Sequence, residues 1–145
     1  MYKRQVDDIV RVVVANARSR YPERRIETQL APTRITASPD ALTRIATNLV
    51  ENACRYGASS VSVAVVVDGG SCALIVDDDG AGVPVAERGR IFERFARTDE
   101  SRARSSGGSG LGLAIVAELV AEHGGSVTVD ESPLGGARFT VDLPR

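Results

Sequence analysis

Asn48-Leu49-Val50-Glu51-Asn52-Ala53-Cys54-Arg55-Tyr56-Gly57 is the stretch on which the reading of the fold turns. Leu42, Ile45, Leu49 and Ala53 recur at the spacing of a buried helix face. Asparagine is a poor helix former, because its amide competes for local backbone hydrogen bonds, and two of them in one such helix ask for a reason. At a rise of about 1.5 Å per residue, Asn48 and Asn52 share a face and are offset by about 6 Å along the axis. Arg55 and Tyr56 follow on or beside that face a turn later. The stripe therefore offers amide oxygens, a guanidinium and an aromatic ring to something other than apolar core. Two uses fit: the amides cap nearby loops, or they face a polar ligand.

The helix starts at Ser38-Pro39-Asp40, which supplies a hydroxyl cap, a proline at the first helical position and a carboxylate in the first turn. It is predicted to run to about Tyr56 and to stop at Gly57. Downstream, Ser60 to Val67 is rich in β-branched residues, Asp68-Gly69-Gly70 is hairpin-turn chemistry, and Ser71 to Val76 returns as a strand. Asp77 to Pro84 then reads as a loop, Val85 to Arg90 as a short helix, and Ala96 to Ser109, poor in apolar residues, as a mobile loop. Leu111 to Glu122 forms a further helix, with Leu113, Val116, Ala117 and Val120 on one face, ended by Gly124-Gly125. Ser126 to Asp130 and Ala137 to Leu143 alternate around Pro133-Leu134-Gly135-Gly136 as a terminal hairpin.

Upstream, Asp7 to Arg20 carries the amphipathic stripe Val6, Ile9, Val10, Val13, Val14 and Ala17, and short strands follow at Ile26 to Leu30 and Arg34 to Ala37. Helices and hairpins in separate blocks predict an α+β fold. It is a two-layer α/β sandwich, with a mixed, mostly antiparallel sheet and about three helices packed on one face.

A length of 145 residues predicts one domain, 1–145, with a core that needs no staples. The net charge of −1 gives no electrostatic argument for nucleic acid or an anionic membrane. Trp is absent and aromatics are few, which disfavours a stacking surface for single strands. No apolar run approaches the length of about 18 residues that a membrane helix needs, and the start shows no signal peptide. Cys54 and Cys72 have no second thiol or histidine at metal spacing, and read as small core residues in a reducing compartment. His123, the single histidine, precedes Gly124-Gly125 and reads as a dipole-favoured helix terminus.

Two further polar clusters join the asparagine stripe. Asp77-Asp78-Asp79-Gly80-Ala81-Gly82 follows a strand, and three successive carboxylates repel one another unless something neutral or donating sits there. An acidic turn would account for them; so would a carboxylate facing the exocyclic amine of adenine, with glycines allowing close backbone approach. Gly107-Gly108-Ser109-Gly110-Leu111-Gly112 leads into a helix. It is a flexible helix start or a phosphate cradle made of backbone amides and helix dipole. It is not a Walker loop, since no Lys-Ser or Lys-Thr follows, and its glycines are misplaced for a dinucleotide fingerprint. As for a metal, a single neutral amide oxygen from Asn52 would suit a magnesium-type cation already carried by a nucleotide.

In order and spacing these clusters resemble the catalytic ATP-binding domain of bacterial two-component sensor histidine kinases, in the GHKL superfamily. Asn48 to Gly57 resembles the N box, Asp78 to Gly82 the first glycine box, Ile91-Phe92-Glu93-Arg94-Phe95-Ala96-Arg97 the F box, and Gly108 to Leu113 the second glycine box. The likeness runs from about Val6 to Pro144. It implies that Asn52 ligands the Mg2+ of Mg-ATP with Asn48 in support, that Arg55 approaches the phosphates, and that Tyr56 covers the adenine. Asp78 would bind the adenine amine over a floor shaped by Gly80 and Gly82. Phe92 and Phe95 would anchor an ATP lid, while Gly108, Gly110, Leu111 and Gly112 would lie at the phosphates. Arg97 matches an F-box arginine that faces the γ-phosphate during transfer; the alternative is a solvated lid charge.

The resemblance implies a kinase that donates the γ-phosphate to a histidine on its own dimerisation and phosphoacceptor domain, for relay to a response regulator. Such a domain is cytoplasmic, monomeric when isolated, and part of a homodimeric, membrane-anchored parent. The superfamily's ATPases place a glutamate general base four residues before the metal-binding asparagine. Here that position is Asn48, and a carboxamide cannot take a proton from water at neutral pH. Glu51 points about 100° away around the helix. His123 is not in a phosphoacceptor motif, so the chain is expected to lack its own acceptor. A serine kinase of the anti-sigma-factor type and a non-catalytic nucleotide-binding module are the other readings.

Overall fold

The computed structural model describes residues 3–93 and 112–145. Helix α2, Pro39–Tyr56, lies at its centre. The Ser38 hydroxyl accepts the Ala41 N–H at 3.3 Å and Pro39 opens the first turn, so the cap works as its chemistry requires. Leu42, Ile45, Leu49, Val50, Ala53 and Cys54 are buried along its length. Gly57 ends the helix, but with φ −73° it is not left-handed. Its missing side chain serves close approach instead: a Cβ there would stand 2.6 Å from the Ala53 carbonyl oxygen and 3.3 Å from Asp78 Cβ.

Helix α1, Val6–Arg20, packs on α2 from one side, and helix α3, Gly112–Glu122, from the other. All three cover one face of a five-stranded sheet. Its strands are β2 (Arg25–Leu30), β4 (Ser60–Asp68), β5 (Ser71–Asp78), β6 (Ser126–Glu131) and β7 (Ala137–Pro144), in the order β2-β4-β5-β7-β6. Only β2 with β4 is parallel; the other pairs are antiparallel. Period-two alternation puts Val61, Val63 and Val65 of β4 under the helices beside Val76 and Leu74 of β5, with Phe139 and Val141 of β7 next to these. The open face carries Ser62, Ala64, Ile75, Thr140 and Thr128. The α+β sandwich with a mixed, mostly antiparallel sheet is therefore the architecture found.

Ahead of the first helix, β1, Lys3–Gln5, pairs antiparallel with β3, Arg34–Thr36, and the Val6 N–H bonds the Thr33 carbonyl at 2.9 Å. Two local expectations need correction. Strand β5 continues two residues past Val76 to Asp78, because Ser62 and Val61 of β4 pair with Asp77 and Asp78 and Arg138 of β7 pairs with Asp77. Val85 to Arg90 forms only a 3₁₀ turn over Val85–Glu87. The expected lid, Ala96 to Ser109, lies outside the described residues, as do Phe95 and Arg97.

Cys54 and Cys72 are buried, and burial pushes each thiol up to about 11, so both are inert core residues. Among the described residues no helix is long and apolar enough to cross a membrane. Phe92 meets the buried ring of Phe139 edge to face, with centroids 6.1 Å apart. Phe139→Ala is expected to destabilise the fold by about 3–5 kcal/mol, read as a shifted urea midpoint.

Candidate nucleotide site

Asp77, Asp78 and Asp79 end up pointing in three directions. Successive strand residues face opposite sides of a sheet, so Asp77 projects from the open face and Asp78 towards the helices. Across the open face, Arg138 of β7 grips Asp77 with Nε to Oδ1 at 2.8 Å and Nη2 to Oδ2 at 3.1 Å. That pairing raises the arginine pKa. Asp79, past the end of β5, turns to the α2–β4 connection. Its Oδ1 accepts the N–H groups of Ala58, Ser59 and Ser60 at 2.9, 2.9 and 3.0 Å, and its Oδ2 accepts the Ser59 hydroxyl at 2.8 Å. Burial opposes its charge, but the donors of Ser59, Ser60 and Ala58 outweigh it and the pKa falls to about 2.

Asp78 remains, 3% exposed between the end of α2 and the start of β7. Its Oδ1 accepts the Gly80 N–H at 2.9 Å and the Ala137 N–H at 3.2 Å. Its Oδ2 takes no hydrogen bond among the described residues. Burial pushes its pKa up, the Asp79 and Asp77 charges add to this, and the two N–H groups resist it. A carboxylate held in place through one oxygen and short of a donor at the other fits an N–H donor such as a purine amine. The surrounding backbone leaves no room for side chains. A Cβ at Gly80 would collide with the Tyr56 carbonyl oxygen, and one at Gly136 with Asp78 Oδ1 as well as backbone of Asp78 and Gly80. Gly82, with φ +79°, needs its glycine for conformation, and its Cβ would lie 3.4 Å from the Gly136 carbonyl oxygen.

On α2, Asn48 and Asn52 are half-buried, and neither side chain makes a hydrogen bond among the described residues. Loop capping by the two amides is thus not seen. The Asn48 amide oxygen would be 3.4 Å from a Cβ on Gly112, which brings the start of α3 against the asparagine stripe. Arg55 and Tyr56 occupy the last turn, where Gly80 packs under the Tyr56 carbonyl. Glu51 is ion-paired to Arg20 of α1 and so is engaged elsewhere. The His123 ring bonds the Leu119 carbonyl at 2.7 Å, and since a carbonyl only accepts, Nδ1 carries the proton.

One end of α2 and one end of β5 therefore bring Asn48, Asn52, Arg55, Tyr56, Asp78, Gly80, Gly82 and Gly112 to one side of the molecule. Phe92, expected at the base of the lid, packs on Phe139 at the edge of the core. Arg97, Phe95, Gly108, Gly110 and Leu111 lie outside the described residues. No group of three or more His, Cys, Asp or Glu suited to a metal occurs among the described residues. The asparagine amide oxygens are hard donors, and together with oxygens that a ligand brings they would fit a cation of the Mg2+ type.

Sequence reasoning missed Gly136, whose glycine was already explained by the hairpin turn, and the arginines that hold the end of α2 and the loop after Gly82. Arg24 holds the Cys54 and Ala58 carbonyls at 2.8 and 3.0 Å, at the helix end beside the site. Arg88 bonds the Val83 carbonyl at 3.1 Å and reaches Asp130 at 3.7 Å, tying the loop after Gly82 to β6. A groove of about 440 Å³ opens next to that loop, but of the candidate residues among those described only Gly82 lines it.

Comparison with known proteins agrees with this geometry. Residues 37–145 match the family described as histidine kinase-, DNA gyrase B-, and HSP90-like ATPase. Over 113 residues, 78% of this chain, the sequence is 45% identical to the sensor histidine kinase CpxA of Escherichia coli, covering 25% of that protein. The chain thus spans about a quarter of this curated relative's length. Among solved structures, the mycobacterial sensor histidine kinase MprB superposes with a TM-score of 0.91 at 30% identity, covering 99% of this chain and 97% of that one. The ATP binding domain of PrrB from Mycobacterium tuberculosis gives 0.82 at 30% identity, covering 99% and 96%.

Gly136→Ala is expected to force Asp78 and the Gly80 backbone apart and to cost about 1–3 kcal/mol of stability, read as a lowered Tm. Gly70→Ala, whose Cβ would meet nothing within 4 Å, is expected to leave Tm unchanged and serves as the control.

Proposed function

The chain belongs to the histidine kinase-, DNA gyrase B- and HSP90-like ATPase family, and from that premise we propose that it binds Mg-ATP and presents the γ-phosphate to a histidine on a separate dimerisation domain. A response-regulator aspartate would receive the phosphoryl group next. The observation that carries the nucleotide assignment is Asp78, a buried carboxylate anchored by the Gly80 and Ala137 N–H groups through Oδ1 and without a hydrogen bond at Oδ2 among the described residues. An adenine amine would donate to Oδ2 and so favour the ionised form that burial opposes. Gly80 and Gly82 keep side chains out of the floor beneath the base, and Tyr56 would cover it. In the same arrangement Asn52 holds the metal with Asn48 one turn back, Arg55 meets phosphate charge, and Gly112 marks the phosphate end at the start of α3. Gly108, Gly110 and Leu111 would add backbone amides there, Phe95 would brace the lid, and Arg97 would face the γ-phosphate.

Mg2+ carried by ATP and held by Asn52 would supply neutralisation of phosphate charge. The protein's own share is positioning, because phosphoryl transfer asks for little covalent chemistry from the enzyme. Transfer is favoured over hydrolysis by two residues. Asn48 stands where a hydrolase would carry its glutamate base, and the nearby Glu51 is held by Arg20. The relatives named as sensor histidine kinases favour the same choice.

Isothermal titration with a non-hydrolysable ATP analogue tests the metal side. Wild type is expected to bind more tightly with Mg2+ than with EDTA, and Asn52→Ala to lose most of that difference, about tenfold or more in Kd. An unchanged magnesium dependence would remove Asn52 as the ligand. Incubated alone with γ-labelled ATP, the chain is expected to take up no stoichiometric label; label at His123 would overturn the need for a separate acceptor.

A further inference from the structure

We propose that Asp79 is a positioning residue for base recognition, setting the end of helix α2 against the carboxylate of Asp78. The inference rests on the reading of Asp78 as the adenine carboxylate. It starts from the hydrogen bonds that converge on one side chain. Oδ1 collects three consecutive N–H groups, those of Ala58, Ser59 and Ser60, and Oδ2 takes the Ser59 hydroxyl. Ala58 and Ser59 lie in the connection between α2 and β4, and Ser60 opens β4. Three successive N–H groups aimed at one oxygen define the path of that connection, and they leave Asp79 no capacity to act on a ligand itself.

What the connection carries is the wall of the base site. Directly before it stand Tyr56 and Gly57. The Tyr56 carbonyl oxygen is so close over Gly80 that no Cβ fits between them, and a Cβ on Gly57 would sit 3.3 Å from Asp78 Cβ. Arg24 holds the same connection from its other side, taking the Ala58 carbonyl while Asp79 takes the Ala58 N–H. Arg24 is anchored in the loop ahead of β2, however, whereas Asp79 is the chain neighbour of both Asp78 and Gly80. The hydrogen bonds of Asp79 therefore tie the connection after α2 directly to the residues that meet the base. Releasing it would let Tyr56 and Gly57 drift relative to Asp78 and would blur the alignment of Oδ2 with an incoming amine.

The test compares Mg-ADP with Mg-IDP, whose base has a carbonyl where adenine has the amine. Dissociation constants are measured by calorimetry for wild type, Asp79→Ala and Asp79→Glu, the last keeping the charge but moving the carboxylate by one methylene. Wild type is expected to prefer ADP by about tenfold or more, since a site built to accept an N–H rejects the analogue lacking it. Asp79→Ala is expected to shrink that ratio by about fivefold, chiefly through weaker ADP binding. Simple loss of folded protein lowers both affinities by the same factor and leaves the ratio untouched, so the ratio separates positioning from stability. If Asp79→Ala does not fold, Asp79→Glu is read in the same way. Wild-type preference for ADP retained in full by the folded variants overturns the role of Asp79 alone. A wild type that does not distinguish ADP from IDP overturns the adenine reading of Asp78, and this inference with it.

Discussion

Three carboxylates in a row cannot share one direction at low cost, and the molecule's layout follows from how they are separated. The sheet's pleat sends Asp77 to the open face and Asp78 beneath the helices, and the end of β5 frees Asp79 to turn towards the α2–β4 connection. Each then meets a different class of donor: a guanidinium, two backbone N–H groups with one oxygen to spare, and a saturating set of N–H and O–H groups. Neighbouring carboxylates thereby acquire opposite tendencies, Asp78 raised by burial and Asp79 lowered by its donors. The one left short of donors is the one beside the glycine-walled floor. Ligand binding is where its missing partner would come from.

Helix α2 shows the same economy. Its structural duties are carried by backbone and by side chains off the asparagine stripe: Ser38 caps its start, Arg24 takes carbonyls at its end, and Glu51 pairs with Arg20 on α1. Asn48 and Asn52 are left with none of these tasks among the described residues. An unpaired half-buried amide is a cost to the isolated fold, and it becomes an advantage only when something polar arrives. That is the physical sense in which two poor helix formers belong in the most buried helix of the domain.

Much of this was legible in the sequence because it is local. The proline and serine opening α2, the apolar stripes of α1 and α2, and the two-glycine turn after Asp68 declare their elements within a few residues. The candidate site residues Asn48, Asn52 and Asp78 stood out because each breaks the pattern of its own element. What could not be read is what depends on partners far along the chain. Strand β1 exists only because β3 is there to pair with it, about thirty residues on. The last two residues of β5 are strand because Val61, Ser62 and Arg138 are alongside. Gly136 looked like turn chemistry, and its contact with Asp78 spans more than a third of the chain. The different fates of Asp77, Asp78 and Asp79 required the pleat and its register, which no composition reveals.

The order of the sheet has a consequence for how this domain meets other proteins. An open sheet ends in two strands with unpaired backbone groups, here β2 and β6, each six residues long. Both display exposed polar and charged side chains, Arg25, Glu27 and Gln29 on one, Thr128, Asp130 and Glu131 on the other. A strand arriving at either edge would have to strip water from those charges while gaining only a short ladder. Copies of the domain are thereby discouraged from fusing edge to edge into fibrils.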